Sequence, residues 1–173
     1  VSLQGYFQTE KYFKHIEGEI REEFTFTDEI LNPCKEMIKT VDNPIALHVR
    51  RTDYVTNSAN HPPCTLEYYE EALKHFDGDR NVIVFSDDPV WCNEQELFSG
   101  DRFLISENED NRIDLCLMTL CSDFIIANSS FSWWGAWLAN RGTVVAPQQW
   151  FGTDGYTKDH NTKDVVPDGW TRI

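Results

Sequence analysis

The stretch "ALHVRRTDYV", residues 46–55, decides the fold of this chain. With the preceding "NPI", residues 43–45, it starts at a proline, runs through a short apolar core and ends in two arginines. A short apolar run bounded in this way predicts a buried β-strand. Arg50 and Arg51 would then lie at the carboxyl end of that strand.

Four further apolar runs repeat this pattern. They are "VIVFSDD" (82–88), "RFLIS" (102–106), "FIIAN" (124–128) and "TVVAP" (143–147). Helical patterns separate them, and we expect the last helix to stop at Gly142. Strict alternation of strands and helices predicts a Rossmann-like α/β fold, a parallel sheet of about five strands with helices on both faces. We expect the tail after the last run to be mostly loop.

The first 40 residues carry a different pattern. Apolar residues at Phe13, Ile16, Ile20 and Phe24 recur at helical spacing, which predicts a helical segment over residues 1–40. Residues 41–173 would form the Rossmann-like domain. The opening "VSLQGYFQTEKYF" looks like the middle of a protein, so we expect a further N-terminal region before it.

Composition narrows the class of partner. The chain has 15 basic and 29 acidic residues, a net charge of −14, which argues against nucleic acid and against an anionic membrane surface. No apolar stretch is long enough to span a membrane. The five cysteines form no C-x-x-C pair and three lie near or within apolar runs, so we expect reduced thiols and a reducing compartment.

Polar residues follow each predicted strand, at the edge where parallel α/β sheets bind their ligands. Successive strand residues point to opposite faces, so Arg50 should share the face of His48 and enter the site while Arg51 points elsewhere. A guanidinium binds phosphate through two hydrogen bonds, which makes Arg50 a candidate phosphate ligand. The alternative is an ion pair with one of the many acidic residues, and Asp53 is a candidate partner. The residues alone leave both open.

Two other strand ends carry candidate ligands. Asn128, Ser129 and Ser130 stand at the predicted start of a helix, where free N–H groups bind anions, although Ser129 or Ser130 could simply cap the helix. Ser86 and Asp87 end another strand. Asp88 fits the cap of the helix that opens at Pro89, which leaves Asp87 for a guanine edge or ribose hydroxyls. The tryptophans of "SWWGAW" (132–137) favour packing, with a sugar platform as the minority reading.

Several classes of enzyme lack their motifs in this sequence. The P-loop G-x-x-x-x-G-K-[ST], the dinucleotide motif G-x-G-x-x-G and the zinc motif H-E-x-x-H do not occur. A G-x-S-x-G elbow is also missing from the printed sequence. The absence of these motifs disfavours P-loop nucleotide hydrolases, dehydrogenases, zinc proteases and esterases.

Several stretches of the sequence resemble the signatures of a known enzyme family. "HVRRTDY" (48–54) resembles the H-x-R-R-x-D signature of fucosyltransferases that use GDP-fucose, with Thr52 where the family more often has glycine. "NSSFSWWGAWL" (128–138) is similar to the second signature of the α-1,2-fucosyltransferases, glycosyltransferase family 11. "LQGYFQTEKYF" (3–13), "FSDD" and "DLCLMTLCSDFIIANSSFSWW" resemble that family in order and spacing, so the resemblance covers nearly the whole chain.

The resemblance implies the C-terminal, donor-binding domain of a GT-B-type glycosyltransferase. It further implies inverting, metal-independent transfer of fucose from GDP-fucose to O2 of a galactoside, with no cofactor and with a galactose-terminated glycan as acceptor. The missing N-terminal region would contribute to the acceptor side. We expect a cytoplasmic, bacterial-type enzyme that could associate with a membrane. A non-catalytic nucleotide-sugar-binding domain and a transferase for another nucleotide sugar are the alternatives.

Residues receive roles from this implied reaction. Arg50 would contact the β-phosphate, helped by backbone N–H groups near Ser130 and Phe131. Asp53 is a candidate base, although it could instead orient Arg51. The complete set of predicted donor-site residues is His48, Arg50, Arg51, Ser86, Asp87, Asn128, Ser129, Ser130 and Phe131, with Arg50 and Asp53 as the catalytic pair and no metal ligand.

Overall fold

The computed structural model describes residues 8–173, so that the first residues of "VSLQGYFQTEKYF" lie outside the described part. Six strands form one fully parallel sheet in the order β3-β2-β1-β4-β5-β6. They are β1 (Ile45–Val49), β2 (Val82–Ser86), β3 (Phe103–Ile105), β4 (Asp123–Ile125), β5 (Val144–Ala146) and β6 (Thr171–Arg172). The predicted Rossmann-like α/β fold is confirmed.

Helices connect the strands and precede them. Within residues 8–173 they are α1 (Glu17–Glu23), α2 (Asp28–Ile38), α3 (Thr52–Thr56), α4 (Leu66–Leu73), α5 (Pro89–Asn93), α6 (Asn111–Leu120) and α7 (Ser130–Ala139). Short 3-10 turns occupy Glu10–Tyr12, Lys14–Ile16 and Glu96–Phe98. Thr65 caps α4 by accepting a hydrogen bond from Tyr68 N. Asp88 caps α5 by accepting one from Trp91 N, as the sequence predicted.

Two hydrophobic cores lie on opposite faces of the sheet. Alternation along β1 sends Ile45, Leu47 and Val49 into the core shared with α4 and α5. Ala46 points into the other core, which α2, α6 and α7 cover. His48 follows the same alternation and therefore lies on the α7 side of the sheet. The expectation of helices on both faces is confirmed.

The end of the chain departs from the expected loop. Thr171–Arg172 pairs in parallel with β5 as a sixth strand, and Gln148 N donates to the carbonyl oxygen of Ile173 over 2.7 Å. A strand of two residues carries no alternation of its own, so only its neighbour reveals it. The prediction of five strands was therefore one short.

Helix α7 ends earlier than Gly142. Its C-cap is Asn140, which adopts the left-handed conformation with φ of 51°. Asparagine tolerates this region because its short amide bonds locally. Gly142 has φ of 66°, and a Cβ there would clash with the carbonyl oxygen of Ser122, so this glycine shapes the turn into β5.

The N-terminal segment packs against α7. Phe13 and Phe24 stack on Trp134 with centroid distances of 5.5 and 5.2 Å, and Arg21 Nη1 donates to the carbonyl oxygen of Trp137 over 2.5 Å. Trp133 and Trp137 are buried, which confirms the packing interpretation of the tryptophans. The division of the chain at residue 40 stays a prediction.

All five cysteines are free thiols, as predicted, and each except Cys64 is buried. Burial raises the pKa of Cys121 to about 12 and that of Cys92 to about 11. These thiols therefore act as small apolar core residues.

Candidate active site

The site is positioned by the strand order. From β1 the chain builds outward to β2 and β3, then returns to the other side of β1 with β4, β5 and β6. The carboxyl ends of β1 and β4 therefore flank a topological switch point, where open α/β sheets hold their ligands. The residues that follow β1 and β4 are the two stretches on which the resemblance rests.

Arg50 leaves the end of β1 within reach of two carboxylates. Its Nη2 donates to Asp53 Oδ1 over 2.7 Å, and its Nη1 lies 3.3 Å from Asp87 Oδ2. About a third of the side chain remains exposed, at 32%. The two carboxylates hold the guanidinium in place, and the exposed part leaves donors for an anion. The ion-pair alternative and the ligand alternative are therefore compatible.

Arg51 points away from Arg50, as strand alternation predicted. Its Nε lies 3.3 Å from Asp88 Oδ2, and its guanidinium carbon lies 3.8 Å from the centroid of the Trp91 ring. Of the two alternatives for Arg51, Asp53 or a neighbouring carboxylate, the structure has the second, because the first turn of α3 brings Asp53 back toward Arg50. Arg51 braces the β1–α3 connection against α5.

Asp87 binds the same connection from the end of β2. Oδ1 accepts from the backbone N of Arg51 over 2.8 Å, and Oδ2 accepts from the backbone N and the hydroxyl of Thr52. Burial alone raises its pKa, but the bonds from Thr52 and Arg51 and the charge of Arg50 outweigh burial and lower the pKa below 3.8. Asp87 is therefore ionised, and Oδ1 is the oxygen with fewer hydrogen bonds.

Ser86 completes this turn. Its Oγ accepts from Asp88 N over 2.9 Å at the end of β2. The hydroxyl thus shapes the loop that carries both aspartates.

His48 connects β1 to α7 across the switch point. Its Nδ1 lies 2.9 Å from Ser132 Oγ, and its ring centroid lies 5.3 Å from that of Phe131. Burial, opposed by the charge of Asp87 and assisted by that of Arg50, lowers the pKa of His48 to about 4. The imidazole is neutral at physiological pH, so Arg50 supplies the cationic charge on this side of the site.

The start of α7 combines an exposed and a buried part. Ser130 is exposed and lines a cavity of about 210 Å³ with Trp133, Trp134 and Trp150. Ser129 is buried and caps the helix by accepting from Phe131 N over 3.3 Å. The capping interpretation of Ser129 is confirmed, and it is compatible with anion binding by the first-turn N–H groups.

Asn128 is buried and bound within the protein. Its amide nitrogen donates to the carbonyl oxygens of Pro62 and Trp150 over 3.0 and 2.9 Å, and its oxygen lies 3.5 Å from Cys64 Sγ. The side chain thereby holds three loops together. A contact of Asn128 or Ser129 with substrate stays a prediction.

Two contributors to the site escaped the sequence analysis. Ser132 holds His48, and Tyr54 donates from its hydroxyl to the carbonyl oxygen of Asn128 over 3.0 Å. Ser132 carried a usable signal, because a serine on the inner face of an apolar helix needs a buried partner. Tyr54 lies in α3, a five-residue helix too short to show a period.

Residues 8–173 contain no helix both long and apolar enough to cross a membrane. The same residues contain no group of three His, Cys, Asp or Glu side chains placed to hold a metal ion.

Comparison with known proteins agrees with this geometry. Residues 2–173 match the sequence profile of glycosyl transferase family 11. An α-1,2-colitosyltransferase of Escherichia coli is 37% identical over all of this chain and 62% of that protein. The O-antigen biosynthesis glycosyltransferase WbnK of Escherichia coli is 33% identical over 99% of the chain and 60% of its own length.

More distant relatives carry a fucosyltransferase name. Galactoside α-(1,2)-fucosyltransferase 1 of Mico humeralifer is 27% identical over 83% of the chain and 44% of that protein. The chain thus spans about three fifths of the bacterial relatives that it matches. Since the match to the family extends over residues 2–173, the chain belongs to glycosyl transferase family 11.

Proposed function

We propose that this protein transfers fucose from GDP-fucose to O2 of a galactose-terminated glycan, with inversion at the anomeric carbon. The observation that carries the proposal is the exposed guanidinium of Arg50 at the switch point, held by Asp53 and Asp87. The fucosyltransferase name of the primate relatives supports the donor.

Arg50 stabilises the leaving group in this mechanism. The bond from the anomeric carbon to the β-phosphate oxygen breaks as the acceptor O2 bonds to the opposite face of that carbon. Negative charge gathers on the β-phosphate, and a preorganised guanidinium lowers the barrier by binding that charge. Backbone N–H groups in the first turn of α7, near Ser130 and Phe131, act on the same group. We propose that no metal takes part.

His48 serves as a neutral contact beside the charge. Its low pKa keeps the ring uncharged while Ser132 fixes its orientation. Asp87 Oδ1 would accept from the guanine edge, and the side chain of Ser86 holds the loop that presents it.

Asp53 lies where it can act in two ways. It is 63% exposed and bonds to Arg50 over 2.7 Å. We propose that it positions Arg50, and that it is also the candidate base for the acceptor hydroxyl. A pH profile separates these roles, since loss of a base removes the acidic limb of the rate profile whereas loss of positioning lowers the rate at every pH.

The test uses the protein at its full natural length. Calorimetry with GDP and GDP-fucose, with and without EDTA, precedes transfer assays on a panel of galactosides. Arg50→Ala should lower the transfer rate by about 10²–10³-fold and weaken GDP binding, with the circular dichroism spectrum unchanged. Arg112→Ala is the matched control, because Arg112 is exposed on α6 and, within residues 8–173, forms an ion pair with Asp110 alone. Near-normal transfer by a folded Arg50→Ala protein would refute the assignment.

A second candidate is transfer of colitose rather than fucose. The relative that is 37% identical over the whole chain carries the name α-1,2-colitosyltransferase. Parallel assays with GDP-colitose and GDP-fucose distinguish the two donors by the ratio of their kcat/KM values.

A further inference from the structure

A second cavity, of about 580 Å³, lies beside the predicted donor site, between residues 151–165 of the tail, His61 and the N-terminal residues 8–12. Its walls include His61, Phe151, Tyr156, Asp159, His160 and Asn161. We propose that it binds the acceptor sugar, a neutral hexopyranoside, and this inference rests on the proposed transferase function. A volume of this size suits a sugar of one or two rings.

A row of side chains places the cavity next to Arg50. The Arg50 guanidinium carbon lies 5.5 Å from the Tyr54 ring, and the Tyr54 and His61 rings are 5.1 Å apart. Phe151 lies 5.5 Å beyond His61. The acceptor hydroxyl must reach the anomeric carbon that is bonded to the β-phosphate, so the acceptor has to adjoin the group that binds this phosphate. The cavity meets that condition through Tyr54 and His61.

The charges of the cavity fit a neutral ligand. Its lining, among residues 8–173, contains the carboxylates of Asp159 and Asp164 but neither lysine nor arginine. Asp164 pairs with Lys11, whereas Asp159 lies exposed. Carboxylates accept hydrogen bonds from sugar hydroxyls and repel phosphates. The protein thus separates Arg50, the proposed ligand of the diphosphate, from an uncharged or acidic surface for a polyol.

Aromatic rings supply the other half of sugar recognition. Tyr156 is 73% exposed although it lines the cavity, so most of its ring is free to contact a ligand. The C–H face of a pyranose packs on such rings as other apolar groups do. Phe151 and His160 meet edge to face at 5.2 Å and form the adjoining wall.

One buried polar atom in this wall also lacks a partner. Nδ1 of His61 is buried and, among the described residues, has no hydrogen-bond partner. Unpaired buried nitrogens are uncommon in folded proteins. His61 stacks on Tyr54, the residue nearest the donor side, so a hydroxyl bound in the cavity would lie close to this ring.

Steady-state kinetics on the full-length protein tests the proposal. Tyr156→Ala should raise the KM for a galactoside about tenfold, the size expected of one aromatic contact, while Tyr156→Phe stays close to wild type. Asp159→Asn should raise the same KM. The KM for GDP-fucose, the Kd for GDP and the rate of GDP-fucose hydrolysis should not change. Val90→Ala and Glu70→Gln are matched controls, since both side chains are exposed on helices away from the cavity.

Saturation-transfer NMR with methyl β-galactoside and GDP gives a readout independent of turnover, and Tyr156→Ala should abolish the signal. Unchanged galactoside KM and NMR signal in an active Tyr156→Ala protein would overturn this inference and leave the transferase proposal standing. A lowered melting temperature with unchanged acceptor KM would show that Tyr156 stabilises the fold without contacting the acceptor, which also overturns the inference. A wild-type protein that binds no GDP and transfers nothing fails the proposed function, and this inference falls with it.

Discussion

Lowering the pH from 7 to 5 should destabilise this protein through His48. Its pKa falls from 6.5 in the unfolded chain to about 4 in the fold, because burial disfavours the charged ring. Protonating the folded state therefore costs about 3 kcal/mol more than protonating the unfolded chain. The unfolded chain takes up the proton first as the pH drops. The stabilisation that the neutral His48 ring contributes is therefore fully present above pH 6.5 and is lost as the pH falls toward 4. Between pH 7 and pH 5 the loss is about 2 kcal/mol.

Urea unfolding at pH 7 and pH 5, followed by tryptophan fluorescence, measures this loss. His48→Gln removes the titrating group, so the variant should lose about 2 kcal/mol less than wild type over the same interval. Asp87, with a pKa below 3.8, titrates outside this window. His75→Gln is the matched control, because His75 is exposed at the end of α4.

A second measurement follows the ring directly. NMR titration of the His48 Cε1–H resonance should give a midpoint near pH 4, well below that of an exposed histidine. A midpoint at 6.5 or above, or equal stability losses in wild type and His48→Gln, would contradict the account of His48 as a buried neutral ring.

Two further predictions concern residues that hold the loops of the site. Asp87→Asn should lower the melting temperature, because an amide nitrogen cannot accept from Thr52, and it should reduce the preference for GDP over IDP measured by calorimetry. An unchanged preference would exclude the contact of Asp87 with the guanine amine. Asn128→Ala leaves the carbonyl oxygens of Pro62 and Trp150 without their donor, so chemical unfolding should show a loss of about 1–3 kcal/mol. An Asn128→Ala protein of unchanged stability would show that these bonds contribute nothing.

Much of the fold was accessible to sequence analysis because its signals are local. The hydroxyl of Thr65 and the carboxylate of Asp88 are N-cap groups that indicate where α4 and α5 begin. The apolar strands are recognisable because polar residues follow each of them. The short elements, α3 and β6, were missed because their few residues show no period. They form where tertiary contacts hold them.

The contacts of the candidate site were likewise predictable only where their signals are local. Alternation along β1 predicted the divergence of Arg50 and Arg51, since strand geometry alone decides it. The pairings of His48 with Ser132 and of Tyr54 with Asn128 join residues far apart in the chain, and one sequence carries no signal for such partners. The sequence left open which arginine Asp53 would contact, because the helical turn after the strand, which turns Asp53 toward Arg50, has no signal in so short a stretch.

The strand order has a consequence for how the protein folds. β1 is the central strand and the earliest to be synthesised, yet its partner β4 follows only after β2, β3 and α6 have emerged. Every strand pairing in this parallel sheet is therefore non-local, a feature of slow-folding topologies. Until β4 arrives, an apolar strand presents an unpaired edge that can capture other chains. The pairing of β4 with β1, the strand that precedes the two arginines, thus determines when this edge is no longer exposed to aggregation.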